Sequence, residues 1–80
     1  MLDRNSHGGV ISFANGSREL NCTVHNSSAS LAELRGAGVE SVPHRFELQE
    51  GLGAPRRAAR VIWRKPGTLG VRFDEYFLRR

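Results

Sequence analysis

Residues 57–73 read Arg57-Ala58-Ala59-Arg60-Val61-Ile62-Trp63-Arg64-Lys65-Pro66-Gly67-Thr68-Leu69-Gly70-Val71-Arg72-Phe73. The period is two, which is the side-chain period of a β-strand. Ala59, Val61 and Trp63 fall on one side of the first run, and Arg60, Ile62 and Arg64 on the other. Lys65-Pro66-Gly67 turns the chain, and Leu69, Val71 and Phe73 line up on one face of the second run. This places Trp63 in the core with Val61.

The same pattern extends outward in both directions. His44-Arg45-Phe46-Glu47-Leu48-Gln49 alternates with Phe46 and Leu48 on one face; Pro43 breaks the chain before it, and residues 51–55 form a turn after it. Val10-Ile11-Ser12-Phe13-Ala14 reads as a strand ended by the turn signal Asn15-Gly16. Leu20-Asn21-Cys22-Thr23-Val24-His25 alternates again, so these two runs pair as a hairpin. Residues 26–30 are small and polar, hence a loop. Leu31-Ala32-Glu33-Leu34 reads as a short strand, because Gly36 and Gly38 follow too soon for a helix. Five or six short strands with regular turn signals in 80 residues argue for an all-β fold, a small antiparallel barrel or sandwich forming one domain. Residues 1–8 are expected to be a flexible arm, and residues 74–80 a tail that could add a helical turn.

Composition narrows the function. Hydrophobic residues are 39% and charged residues 25%, the balance of a globular domain rather than a disordered tail. No apolar run approaches the ~20 residues of a membrane span. The opening Met1-Leu2-Asp3-Arg4-Asn5 has no apolar signal-peptide core, so the cytoplasm is the expected location. The net charge of +4 is uneven: residues 1–51 sum to −2 and residues 52–80 to +6. Eleven of the twelve basic residues are arginine, whose planar fork binds phosphate bidentately and stacks on flat rings, so an anionic partner fits. Cys22 is the sole cysteine and reads as a buried apolar residue; His7, His25 and His44 lack metal-ligand spacing. Neither a held Ser–His–acid set nor a carboxylate pair is indicated, so the chain reads as a non-enzyme without a cofactor or metal.

The run 22–28, the Pro43-His44-Arg45-Phe46-Glu47-Leu48 strand, Ala59-Arg60-Val61-Ile62-Trp63-Arg64 and Leu69-Gly70-Val71-Arg72-Phe73 together resemble a PilZ domain, over residues 4–73. The resemblance implies a six-stranded antiparallel β-barrel and a role in bacterial cyclic di-GMP signalling. That family binds its nucleotide with an RxxxR arm and a [D/N]xSxxG turn. Asn26 and Ser28 match the turn motif, and Leu31 stands where the family has glycine. Arg4 matches one arm arginine; the residue four places later is Gly8. The resemblance therefore implies Arg4, Asn26 and Ser28 as contacts for cyclic di-GMP, with binding weak or lost. A ligand-free adaptor that binds a protein partner is the alternative. A small basic nucleic-acid binder ranks last, because the strand pattern buries the aromatics that single strands stack on.

Overall fold

A computed structural model describes residues 6–51 and 53–74. Six strands follow in order: β1 Ser6–Phe13, β2 Arg18–Asn26, β3 Leu31–Arg35, β4 Arg45–Gln49, β5 Arg56–Lys65 and β6 Thr68–Phe73. One 3-10 turn, Val39–Ser41, lies between β3 and β4. The strands close into a barrel in the order β1-β2-β3-β6-β5-β4, every pairing antiparallel. Closure comes from β1 against β4, where Val10, Ile11 and Ser12 oppose Gln49, Leu48 and Glu47. A closed barrel leaves no strand edge unpaired along its wall.

Alternation fills the barrel as the sequence pattern requires. Ile11, Val24, Leu34, Leu48, Leu69 and Val71 are each 0% exposed and form one core with Cys22, Phe46, Ala59, Val61 and Phe73. The short strand over 31–34 is real, extended by Arg35. The β1–β2 loop spans residues 14–17 and places three successive residues at positive φ: Ala14, Asn15 and Gly16. Glycine and asparagine accept that conformation readily and alanine does not, so the strain of this loop sits at Ala14.

Two expectations need correction, and a third falls outside the described residues. The arm expected over 1–8 is shorter, because Ser6, His7 and Gly8 already belong to β1, opposite His25, Val24 and Thr23. The expected tail and its helical turn lie outside the described residues beyond Asp74. The other correction concerns Trp63. Val61 opposes Val71 and Trp63 opposes Gly70, so β5 carries one more residue than β6 there. Ile62 is the extra residue of a β-bulge, and a bulge turns two successive side chains to the same side. Ile62 and Trp63 both face solvent, at 52% and 39% exposure. Arg64 in turn moves to the row of Leu69 and closes one barrel end, donating to the carbonyls of Glu40 at 2.8 Å and Val42 at 2.7 Å.

Candidate functional site

The other end of the barrel is closed by polar residues that occupy inward positions. His7, Asn26 and Arg57 continue the inward rows of Ile11, Val24 and Ala59, and Glu50 follows β4 in the row of Phe46 and Leu48. At the ends of their strands these side chains meet over the core. Glu50 Oε1 lies 2.7 Å from His7 Nε2 and accepts from Asn26 Nδ2 at 3.5 Å, while Glu50 Oε2 accepts from Arg57 at 3.2 Å. The Arg57 guanidinium lies over the Phe73 ring, 3.9 Å from its centroid, so an aromatic face and a carboxylate share one cation. Its second nitrogen donates to the Ala29 carbonyl at 3.1 Å, tying β5 to the β2–β3 turn.

That turn holds the two motif residues. Ser27 and Ser28 donate their backbone N–H groups to the Leu31 carbonyl, and Ser28 Oγ accepts from the Ser30 N–H at 3.3 Å. Phe73 N–H bonds the Ser30 carbonyl at 2.8 Å. Asn26 and Ser28 are thus brought within one turn, but Ser28 Oγ braces the loop and the Asn26 amide turns to Glu50. Among the described residues, Asn26 Oδ1 is buried without a hydrogen-bond partner. Arg4 lies outside the described residues; the described end of β1, Ser6, sits opposite His25 beside Asn26. Leu31 is absent from the positive-φ residues and is 36% exposed, so the leucine brings bulk to the outer face rather than backbone strain.

An anion approaching this end would meet Glu50 as well as Arg57. The same carboxylate adds to burial in pushing the Cys22 thiol up to about 11 from an ordinary 9.0, burial being the larger cause. A buried thiol held neutral is no nucleophile. Among the described residues no group of three His, Cys, Asp or Glu side chains is placed to hold a metal ion, and no helix is long and apolar enough to cross a membrane.

No family model, curated protein or solved structure matches this chain. Two groups of residues escaped the sequence pattern. His7, Glu50 and Arg57 were legible in principle, since extending each alternating run by two residues places a charged or polar group inward at a strand end. The exposure of Trp63 had no signal in its own strand, because a bulge is set by the pairing with β6.

Proposed function

We propose that this chain is a PilZ-like cytoplasmic signalling domain of the bacterial cyclic di-GMP system, non-catalytic, with weak or lost nucleotide binding. The observation that carries the reading is the engagement of the 26–31 turn: Asn26 holds Glu50, Ser28 braces Ser30, and Arg57 is neutralised by Glu50. The antiparallel six-stranded barrel supports the family assignment, and the internal use of the motif side chains supports the loss of affinity. A dianionic ligand would have to displace a carboxylate to reach Arg57. Charge-assisted bonds are each worth ~1.5–3 kcal/mol, so one missing arm arginine and one neutralised arginine weaken binding by roughly two orders of magnitude or more.

Calorimetric titration with cyclic di-GMP, beside a linear dinucleotide, tests this. The parent protein is expected to give weak heats or none. Leu31→Gly, combined with an N-terminal extension that makes Arg4 the second arginine of an RxxxR arm, is expected to raise affinity markedly. Tight binding by the parent, or a folded restored variant that gains nothing, refutes the reading. The second reading, a ligand-free adaptor for a protein partner, is favoured by exposed Leu31 on the turn itself. It requires that both the parent and the restored variant stay silent toward the nucleotide.

A further inference from the structure

We propose that the outer face of β5 and β6 binds single-stranded nucleic acid, with Trp63 as the stacking platform and Arg60, Arg72 and Lys65 as phosphate contacts. The bulge at Ile62 turns the Trp63 ring out of the core and onto this face. The indole lies across Gly70 of β6: a Cβ built there would overlap indole atoms Cε2 and Nε1. One ring face is thus supported by backbone while the side chain remains 39% exposed. A rigid aromatic held flat on a sheet is what a base stacks on.

Lys65 Nζ lies over the free face of the ring, 5.5 Å from its centroid, so a stacking base takes the place of the ammonium, which then pairs with the adjoining phosphate. Along β6, Arg72 follows Gly70 on the same face, about 7 Å away. Arg72 opposes Arg60, which opposes Arg45, so three arginines stand in one row across β6, β5 and β4. Like charges directly opposite each other on one face destabilise a sheet, and a polyanion lying across them removes that cost. Arg60 is partly neutralised by Asp74 at 3.2 Å. The side chains of Arg45 and Arg72 have no hydrogen bond or ion pair among the described residues. A depression of about 180 Å³ opens between Arg60, Arg72, His44 and Ile62, beside the bulge. Glu33 stands opposite Gly70 on β3, beside the platform, and is paired with Arg35 at 3.4 Å.

The same face fits a protein partner poorly. Its large exposed apolar side chains among the described residues are Ile62 and Trp63, with Leu31 beyond Arg72 on the adjoining β3, and charged Arg60 and Arg72 stand among them, a poor dry centre for an interface burying ~800 Å² per partner. A chain of bases and phosphates needs one platform and a line of cations. The proposal uses no residue of the 26–31 turn, so it stands or falls apart from the cyclic di-GMP reading.

Trp63 is the only tryptophan, so its fluorescence reports the platform directly. Titration with an oligo(dT) of about twelve nucleotides, within the range of small-barrel site sizes, is expected to quench it at low salt. Three phosphate contacts give a slope of log K against log salt of about −2. With a labelled oligonucleotide, Trp63→Leu is expected to weaken binding roughly tenfold, and Arg72→Ala to weaken it and flatten the slope by about 0.7. Arg72 is exposed and unpaired, so its variant keeps the test valid should Trp63→Leu unfold. Absence of quenching overturns the proposal. So does equal quenching by polyglutamate, which would reveal charge attraction without stacking, and so does unchanged affinity in a folded Trp63→Leu or Arg72→Ala variant. Displacement of the oligonucleotide by stoichiometric cyclic di-GMP also overturns it, because the face would then belong to the nucleotide.

Discussion

Trp63 and Gly70 illustrate how one contact sets the role of a residue. A tryptophan in an alternating apolar run reads as core, and removal from a core would cost ~3–5 kcal/mol. Resting on Gly70 at 39% exposure, it gives up only part of that burial. Trp63→Ala is expected to lower stability by about 1–2 kcal/mol in denaturant melts. Gly70→Ala must push the indole away, and is expected to cost about 1–3 kcal/mol and shift Trp63 emission to the red. An unchanged emission spectrum would mean that the ring does not rest on that glycine. Cys22 makes a second residue-scale case. A thiol raised from 9.0 to about 11 has about a hundredfold less thiolate at pH 8, so alkylation is expected to be slow by that factor relative to the unfolded chain. Burial of Cys22 at 8% exposure slows the reagent further. The sign for stability follows. Between pH 9 and 11 the unfolded chain loses this proton while the folded one keeps it, so stability is complete below 9 and falls across that window.

At the scale of the element, the β5–β6 hairpin depends on a single extra residue. Pairs on either side of Ile62 are in register, Val61 with Val71 before it and Trp63 with Gly70, Arg64 with Leu69 and Lys65 with Thr68 after it. Deleting Ile62 therefore removes the bulge and leaves every facing assignment intact. The expected cost is roughly 1–3 kcal/mol from lost twist, with Trp63 emission still that of an exposed ring. A blue-shifted, buried Trp63 in the deletion variant would show that the bulge lies elsewhere. The pattern of β5 was legible up to Val61 and misread after it. A strand's own alternation cannot reveal an insertion whose only mark is the neighbour's count. By contrast β4 and β6 needed no correction, because Phe46, Leu48, Leu69, Val71 and Phe73 keep strict alternation from end to end.

At the scale of the whole molecule, Glu50 ties three strands together at one barrel end. It receives His7 from β1, Asn26 from β2 and Arg57 from β5 just beyond the end of β4. Its side chain is 15% exposed, so these bonds form where water competes little. Glu50→Ala is expected to lower stability by about 1.5–3 kcal/mol, leaving Arg57 without its carboxylate and the Asn26 amide without its acceptor. In a double-mutant cycle, Glu50→Ala and Arg57→Ala are expected to couple by about 1 kcal/mol or more in thermal or denaturant unfolding. Strict additivity would show that the two charges stand apart in solution. Glu50→Gln is also expected to strengthen any anion bound at this end, since Arg57 loses its counter-charge.

Local rules read from the sequence determined the strands, the inward faces of β2, β4 and β6, and the all-β class, because a period of two needs no partner to be visible. The excess of arginine in the second half was equally plain. What only the tertiary structure decided were the features that require two strands to be compared. Closure rests on β1 meeting β4 across some forty residues of chain, the bulge rests on β5 outnumbering β6 by one, and the row of Arg45, Arg60 and Arg72 rests on the register of three strands. Register is a property of pairs, so Asn26 turned to Glu50 and Trp63 turned to solvent for reasons that lie outside their own segments.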